Sequence, residues 1–294
     1  MGRMIVETVS SADDPRLEPY RRVRDRDALG PDGRPGLFVG ESPLVIEAML
    51  RAPGVETISV LASERQRMRA EELIVSARGD GAAGPGPLLL LAPDDVLNAV
   101  VGFDIHRGFL AVGRRPAPRH VREVVPGPSL DALLLVVEEV NNIDNIGQLF
   151  RNAAAFGCDA VLLSPGCHDP LYRKSLRVSC GHALRVPFAR SADWARDLAW
   201  LRGDAKFEVL GMTGSATTAL HEAADGVALL RPRRVAVLVG AEFAGLSPAA
   251  LEACSRRVRI PMAPGVDSLN VGVAAGVALS RLAERRSPGR LGGR

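Results

Sequence analysis

The sequence predicts an α/β protein of two domains, the second of which is built on a parallel sheet. In the second half of the chain, runs rich in valine and leucine alternate with stretches of helical periodicity. Near-continuous apolar strands between helices are typical of a parallel sheet that is covered on both faces. A charged, proline-rich segment at 114–129 has no helical period and separates the two parts. We therefore predict domains at 1–118 and 132–294, with a linker at 119–131.

The first domain is predicted to be small, with strands and helices in alternation. Within "GLFVGESPLVIEAML", a short strand leads to a helix that has Ser42 as its N-cap and Pro43 as its first residue. The strands "ETISVLAS", "PLLLLA" and "GFLAVGR" follow, with the helices "ERQRMRAEELIVSA" and "PDDVLNAVVG" between them. The preceding segment, "DDPRLEPYRRVRDRDALGPDGR", mixes charges of both signs and is predicted to be a solvated helix.

The second domain is predicted to contain five strands and to end in an apolar helix. The strands are "DALLLVVEEV", "DAVLLS", "FEVLGMT", "RRVAVLVG" and "RVRIPM". The last helix, from Leu269 to about Arg286, is apolar on most of its surface up to "RLAERR". A helix that is apolar on all sides has to be buried against more than one partner. This pattern favours a homodimer interface, and burial within the fold is the alternative.

Composition places the chain among ordinary globular proteins. Of its 294 residues, 47% are hydrophobic and 24% are charged, and the net charge is +3. No apolar run reaches the roughly 20 residues of a membrane helix, and the N-terminus does not resemble a signal peptide. We therefore expect a cytoplasmic protein. None of the cysteines forms a C-x-x-C pair, so we expect free thiols and no metal site; the cysteines are Cys158, Cys167, Cys180 and Cys254.

Three loops carry unusual polar residues at the ends of predicted strands, which is where open parallel sheets bind ligands. In "NNIDNIGQLFRNAAAFG", the chain turns after a strand and then enters a helix, and Arg151 lies off the apolar stripe of that helix. In "VLVGAEFAGLSP", the strand ends at Gly240, Glu242 follows, and Ser247 precedes a new helix. Turn chemistry with a solvated arginine is the alternative interpretation of the first loop, and an ordinary loop glutamate is the alternative for the second.

The third loop, "RIPMAPGVDSLNVGVAAGVAL", contains a predicted helix start. Ser268 is predicted to be the N-cap, and Asn270 falls in the first turn, where free N–H groups favour an anion or a polar ligand edge. A simple cap is the alternative. The chain has no G-x-G-x-x-G fingerprint opening a βαβ unit, no Walker P-loop and no nucleophile elbow. Their absence argues against a dehydrogenase, an ATP-dependent enzyme or a serine hydrolase.

Taken together in this order, the three loops resemble the motifs of the SpoU (TrmH) family of RNA 2′-O-ribose methyltransferases, within the SPOUT superfamily. The likeness covers about 132–286 and includes "LRVSCGHALRVPF" between the first two motifs. It implies a C-terminal trefoil knot that binds S-adenosylmethionine, a homodimer and, more loosely, an N-terminal substrate-binding domain. One departure is Gly272, which stands where the family commonly has a small hydroxyl residue and costs about 1 kcal/mol of helix propensity.

The resemblance also implies roles for individual residues. Arg151 is expected to act on the ribose 2′-hydroxyl, although a guanidinium with a pKa above about 12 is a poor base and stabilisation of the alkoxide is the alternative. The implied catalytic residues are Asn145, Arg151, Glu242, Ser268 and Asn270. The implied cofactor-binding residues are Gly240, Ile260, Met262 and Leu269.

The expected partner is RNA, with ribosomal RNA favoured over tRNA because an N-terminal domain is present. The basic segment at 172–190 offers phosphate contacts from Arg173, Lys174, Arg177 and Arg185, with Arg190 nearby. A solvated basic loop is the alternative for this segment, and an RNA-facing arm is the alternative for the charged N-terminal segment. A non-catalytic RNA-binding protein for assembly is the competing functional class, but it would be expected to lose Arg151, Glu242 or Asn270.

Overall fold

The computed structural model describes residues 4–21, 36–78, 86–101, 109–230, 232–241 and 244–283. Contacts between residues divide the chain into two units. The first unit consists of Met1–Ala117 and Leu171–Arg185, and the second unit consists of Pro118–Pro170 and Val186–Arg294. The segment 171–185, which the sequence placed in the second domain, thus belongs to the first unit. The other domain limits stay a prediction.

The strands and helices are numbered in chain order within the described residues. The strands are β1 Val6–Thr8, β2 Leu37–Glu41, β3 Glu56–Ser63, β4 Leu88–Ala92, β5 Phe109–Arg114, β6 Ala132–Val137, β7 Ala160–Leu163, β8 Phe188–Arg190, β9 Glu208–Met212, β10 Thr218–Ala219, β11 Arg234–Val239 and β12 Arg256–Arg259. The helices are α1 Pro43–Arg51, α2 Arg67–Arg78, α3 Asp94–Val101, α4 Val121–Val124, α5 Ile143–Ala155, α6 Arg173–Val178, α7 Trp194–Arg202, α8 Leu220–Val227, α9 Pro248–Ala253 and α10 Val271–Ala283. None of these helices combines the length and the apolar character that a membrane crossing needs.

The first unit is built on a five-stranded mixed sheet in the order β1-β4-β3-β5-β2. β4 pairs in parallel with β1 and β3, whereas β5 pairs antiparallel with β3 and β2. The start of α1 at Pro43 is as predicted, although the Ser42 side chain makes no capping hydrogen bond there. The prediction of a solvated helix in the N-terminal segment is wrong for the first part of that segment, because residues 15–20 form a 3-10 helix that buries Leu17 and Tyr20. Residues 22–35 of that segment lie outside the described residues.

The second unit contains the predicted parallel sheet, which is confirmed. Its seven strands follow the order β10-β12-β9-β11-β6-β7-β8, and every neighbouring pair is parallel. Side chains of α4, α7 and α9 form one buried cluster with alternate residues of β6 and β11, whereas α5 packs on β7, α8 packs on β10 and β12, and α10 packs on β11 outside that cluster. Helices therefore lie on both faces, as near-continuous apolar strands require. The trefoil knot stays a prediction.

The predicted linker packs onto the second unit. Val121 and Val124 of α4 are buried in its core. The guanidinium of Arg234, which is itself buried, donates hydrogen bonds to the carbonyls of Pro126, Gly127 and Leu130 and stacks on the Phe207 ring. Burial lowers the pKa of Arg234 from its usual value. The bonds to carbonyl oxygens nevertheless fix this stretch of chain to β11.

The helix α5 begins five residues before the predicted start at Gln148, because Asn142 caps it. The Asn142 side-chain oxygen accepts hydrogen bonds from the backbone N–H groups of Asp144 and Asn145, at 2.9 and 3.1 Å. These bonds satisfy two of the N–H groups that a helix start leaves without partners. Arg151 therefore lies more than two turns into the helix rather than near its start.

The helix α10 begins at Val271, and its cap is Asn270 rather than Ser268. The Asn270 Oδ1 atom accepts from the N–H groups of Gly272 and Val273, at 2.9 and 3.3 Å. The prediction that Ser268 is the N-cap is therefore wrong. Both residues have side chains suited to capping, and the choice of Asn270 is set by where α10 packs on the rest of the unit.

The two helices that follow the first and third loops lie in close contact. The Asn152 side chain of α5 donates a 2.7 Å hydrogen bond to the carbonyl of Gly272 on α10. A Cβ atom on Gly272 would lie 3.0 Å from the Gln148 Cβ atom and nearer still to its side-chain oxygen. The departure noted at Gly272 therefore has a structural reason, because a bare backbone lets α10 approach α5. The propensity cost is offset by this packing.

Candidate active site

A cavity lies at the carboxyl ends of β9, β11 and β12, which is the edge where parallel sheets bind ligands. All four residues predicted to bind the cofactor line it, together with the predicted catalytic residue Ser268. Its lining comprises Met212, Thr213, Gly214, Val239, Gly240, Ala241, Gly245, Arg259, Ile260, Met262, Asp267, Ser268, Leu269, Val271 and Ala274. The structure thus brings together residues from three separate segments of the second unit.

The loop that follows β11 forms one wall of this cavity and folds back on itself. Ala241 and Gly245 form an isolated antiparallel bridge, and the Gly245 N–H donates a 3.0 Å hydrogen bond to the Ala241 carbonyl. A Cβ atom on Gly240 would overlap the Gly245 carbonyl, so only glycine fits there. Gly245 has φ of 66°, a conformation that also favours glycine. Glu242 of this loop, which is predicted to be a catalytic residue, lies outside the described residues.

The lining suits a nucleoside with a charged tail. The side chains of Met212, Leu269 and Val271 supply apolar walls for a purine ring. Gly214 and Gly240 also belong to the lining, where peptide groups can bond to polar edges of a ligand. The cavity also contains one side chain of each charge, Arg259 and Asp267, and S-adenosylmethionine carries both charges. The residues present therefore fit this cofactor.

An amide pair joins the first and third loops. Asn270 Nδ2 donates a 2.8 Å hydrogen bond to Asn145 Oδ1, between residues 125 positions apart in the chain. Asn145 is only 3% exposed, whereas the other end of the Asn270 side chain caps α10. The two predicted catalytic asparagines thus hold α5 and α10 in register. The described hydrogen bonds of Asn145 and Asn270 position the two loops, and they do not direct a reactive group at a substrate.

Arg151 lies on α5 with an exposed side chain. Within the described parts of the chain it makes no hydrogen bond or ion pair. Gln148, one turn earlier on the same helix, lies close to Gly272, which directly follows the cavity-lining Val271. Because residues three apart share a helix face, Arg151 is directed to the same side of α5. A cation that is not used for folding thus lies beside the helix that borders the cavity.

Sequence reasoning missed one buried carboxylate, Glu138, which directly follows β6 and is 2% exposed. Its Oε1 atom accepts from Trp194 Nε1 at 2.6 Å and from Ser247 Oγ at 2.7 Å. Its Oε2 atom accepts from the Ser247 N–H at 2.8 Å. A charged residue at the end of an all-apolar strand was the available signal, since charged groups are rarely buried without partners.

The four predicted RNA-binding residues belong to the first unit and differ in their surroundings. Arg173 donates a 2.6 Å hydrogen bond to Glu41 and is 28% exposed, and Arg177 lies 3.4 Å from the same carboxylate. Lys174 is half-buried and has a bonding partner, whereas Arg185 is exposed. Arg173 is thus held by a carboxylate, and Arg185 is available for phosphate.

Arg190, which the sequence grouped with the RNA-facing residues, belongs to the second unit and organises the loop after β7. Its guanidinium donates hydrogen bonds to the carbonyls of Ser164, Pro165, Cys167 and His168, at 2.6 to 3.2 Å. These bonds use its donors for folding. The described contacts therefore favour a structural role for this arginine.

The cysteines are free thiols, as predicted. Cys158, Cys167 and Cys254 are buried, and Cys180 is partly exposed. Burial raises the pKa of the Cys167 and Cys254 thiols, which disfavours the reactive thiolate. Among the described residues, no group of three or more histidine, cysteine or acidic side chains is arranged to hold a metal ion.

Comparison with known proteins agrees with this arrangement. Residues 132–280 match the model of the SpoU rRNA methylase family. An uncharacterized tRNA/rRNA methyltransferase of Mycobacterium bovis is 41% identical over 275 residues, which cover 93% of this chain and 90% of that protein. A similar protein of Mycobacterium tuberculosis is 42% identical over 276 residues, again with 93% and 90% covered.

Solved structures resemble the whole chain. The crystal structure of an RNA 2′-O ribose methyltransferase has a TM-score of 0.71 and 29% identity, covering 95% of this chain and 99% of that one. An AdoMet-bound rRNA methyltransferase from Sinorhizobium meliloti has a TM-score of 0.73 at 22% identity, covering 95% and 98%, and shares the fold. The family match spans the three loops that form the cavity and its surroundings. The chain therefore belongs to the SpoU rRNA methylase family and is an RNA methyltransferase whose cofactor is S-adenosylmethionine.

Proposed function

We propose that this protein methylates the 2′-oxygen of a ribose in RNA, with ribosomal RNA as the favoured substrate. The observation that carries the proposal is Arg151, which is exposed and has no bonding partner among the described residues, on the helix packed against the cavity-bordering α10. Support for the position of methylation comes from the 29% identical RNA 2′-O ribose methyltransferase. Support for ribosomal RNA comes from the family description and from the additional N-terminal unit.

The proposed reaction needs a cation near the attacked oxygen. S-adenosylmethionine, when bound, supplies an electrophilic methyl carbon. The bound cofactor would give that methyl group to the ribose 2′-oxygen and leave as a neutral thioether, and the hydroxyl proton would pass to solvent water. Arg151 stabilises the negative charge that develops on the oxygen, because a guanidinium is a poor base but a good cation for this purpose. A water-poor site holds the oxygen about 3 Å from the carbon.

Other residues are proposed to position these groups. The bond between Asn145 and Asn270 fixes α5, and therefore Arg151, relative to the third loop. Gly240, Ile260, Met262 and Leu269 are proposed to hold the cofactor in the cavity that they line. Ser268 shapes the same wall, and Glu242 is proposed to orient Arg151 or the hydroxyl. We also propose that the chain is knotted in this region, as the resemblance implies.

RNA is proposed to contact the basic segment of the first unit. Arg185 and Arg177 have exposed side chains there, and Lys174 lies beside them in sequence. Phosphate contacts from such residues position the RNA strand without reading its sequence. Arg173 is proposed to contact phosphate together with these residues while it remains paired to Glu41. We also propose a cytoplasmic location, because ribosomal RNA and tRNA, the two candidate substrates, both occur in the cytoplasm.

Labelled S-adenosylmethionine tests the proposal directly. The wild-type protein is incubated separately with unmodified ribosomal RNA and tRNA, and digested nucleosides are identified by mass spectrometry. We expect a 2′-O-methylated nucleoside from ribosomal RNA, with the Arg151→Ala variant as the control for contaminating activity. A product from tRNA alone would replace the favoured substrate with the second candidate, and a base-methylated product would overturn the 2′-O assignment. Cofactor binding without transfer to either RNA would point to another RNA substrate, such as an assembly intermediate, whereas no cofactor binding at all would favour a non-catalytic RNA-binding protein.

We propose that the protein is a homodimer through the exposed apolar side chains around the start of α10. Val266, Leu269, Val273 and Val277 are between 39% and 50% exposed, and the last two lie one turn apart on one face. Such a patch beside a cavity is typical of an interaction surface.

A charge placed in this patch is expected to separate the subunits. We expect Val273→Glu to convert a dimer to a monomer in sedimentation experiments, because an unpaired carboxylate would be buried at the interface. The matched control is Val75→Glu on α2, where the side chain is 51% exposed, and it should leave the mass unchanged. A wild-type protein that sediments as a monomer at micromolar concentration would contradict the proposal.

A further inference from the structure

The buried Glu138 connects two segments that are far apart in the chain. It directly follows β6, whereas Ser247, 109 residues later, closes the loop that forms a wall of the cavity. Both Ser247 bonds to Glu138 are shorter than 3 Å, and Ser247 also caps α9 through the Ala250 N–H. The same carboxylate accepts from the Trp194 indole at 2.6 Å. One side chain thus joins β6, α7 and the start of α9.

A carboxylate is the side chain that fits these donors. Three hydrogen atoms point at Glu138, two at Oε1 and one at Oε2. An ionised carboxylate has only acceptor sites, so it satisfies all three donors without moving. A glutamine amide would instead direct an NH₂ group at either the Ser247 N–H or the Trp194 N–H. Neither of these two donors can turn away, because each is part of a rigid group.

The position of Ser247 determines where the cavity wall lies. Gly245, two residues earlier, lines the cavity and bridges to Ala241, and its carbonyl lies against Gly240. With the Ser247 N–H fixed to β6 and Gly240 fixed at the end of β11, both ends of the loop are held. β6 and β11 are neighbours in the sheet, paired from Ala132 with Arg234 to Val137 with Val239.

We infer that Glu138 is a positioning residue for cofactor binding, acting through Ser247 on the cavity wall formed by Gly240, Ala241 and Gly245. This inference rests on the proposal that the cavity at Gly240 holds S-adenosylmethionine. Glu138 itself does not line the cavity, so its influence has to pass through the loop. The geometry also separates two of its roles. The bonds to Ser247 set the wall, whereas the bond to Trp194 secures α7, which does not line the cavity.

Three substitutions test this separation by calorimetric titration with S-adenosylmethionine. We expect Glu138→Gln to weaken cofactor binding by about 10-fold or more, because a neutral amide weakens the bonds to Ser247 and places an NH₂ group against one of the two rigid donors. Ser247→Ala removes the hydroxyl bond to Glu138 and the cap on the Ala250 N–H but keeps the Ser247 N–H bond to Glu138, so it should weaken cofactor binding less. Trp194→Phe should change the affinity by less than about 2-fold, although it removes the third bond. Thermal unfolding of each variant gives the loss of stability for comparison.

The kinetic expectation is a rise in KM for S-adenosylmethionine in Glu138→Gln, with kcat at saturation within a few-fold of wild type. If Trp194→Phe and Glu138→Gln weaken binding equally, or if neither does while stability falls, Glu138 is a structural residue and the inference is overturned. Leu269→Ala separates this failure from failure of the proposed site. If wild type binds the cofactor and Leu269→Ala does not weaken that binding, the cavity assignment is wrong instead.

Discussion

Replacing Arg151 with alanine is expected to lower kcat for methyl transfer by about 100- to 1,000-fold, the usual effect of removing a group that stabilises a developing oxyanion. The cofactor affinity and the thermal midpoint should stay close to wild type. Arg151 is exposed and has no bonding partner among the described residues, so its removal leaves none of those residues unsatisfied. It also does not line the cavity, so cofactor contacts are retained. Single-turnover assays with saturating cofactor and RNA measure the effect.

Two further variants make the Arg151 result interpretable. Arg151→Lys keeps the positive charge but loses the planar fork of donors, so an activity between those of wild type and Arg151→Ala is expected. Arg196→Ala removes an exposed arginine from α7 and should leave kcat unchanged. Equal losses in Arg151→Ala and Arg196→Ala would show a general effect of surface charge on RNA binding. Full activity of Arg151→Ala would remove Arg151 from the mechanism.

The parallel sheet and the position of the site follow from the sequence because both depend on short-range patterns. Apolar runs between helical segments predict parallel strands, and polar loops after those runs predict the ligand edge. Gly240 was identified as the end of its strand, and β11 does end at Val239. The start of α9 at Pro248 was also predicted, since Ser247 and Pro248 are typical of that position.

The parts that were missed depend on contacts between distant residues. Asn270 is chosen over Ser268 as the cap of α10 in a loop whose amide also binds Asn145, 125 residues away. The partners of Glu138 lie 56 and 109 residues away, so no local pattern identifies them. The segment 171–185 groups with the first unit for the same reason, since Arg173 pairs with Glu41 across 132 residues.

Gly272 illustrates how a local rule and a tertiary contact act in opposite directions. Helix propensity alone makes this glycine a cost of about 1 kcal/mol relative to alanine. A Cβ atom there would press on Gln148 and approach the Asn270 cap at 3.1 Å. The close contact of α10 with α5 places Arg151 beside the cavity-bordering helix. Gly272 therefore lowers the helix propensity of α10 but permits the packing that positions Arg151.

Gly240→Ala is expected to weaken S-adenosylmethionine binding by roughly 10- to 100-fold, the range that corresponds to overpacking by about 1–3 kcal/mol. A methyl group at this position would overlap the Gly245 carbonyl, which is backbone and cannot rotate away. The loop therefore has to move, and it moves at the wall that the cofactor is proposed to contact. Titration calorimetry with S-adenosylmethionine, together with thermal unfolding, measures both consequences.

A matched glycine shows whether the effect is specific to the wall. A Cβ atom on Gly127 would meet no heavy atom within 4 Å, so Gly127→Ala should bind the cofactor as wild type does. Gly240→Ala should also raise KM for the cofactor, whereas Arg151→Ala should lower kcat, because one residue shapes the cavity and the other faces the substrate oxygen. If Gly240→Ala remains folded and binds S-adenosylmethionine with wild-type affinity, the cofactor is held elsewhere in the second unit. The proposed cofactor-binding roles of Ile260, Met262 and Leu269 would then also be wrong.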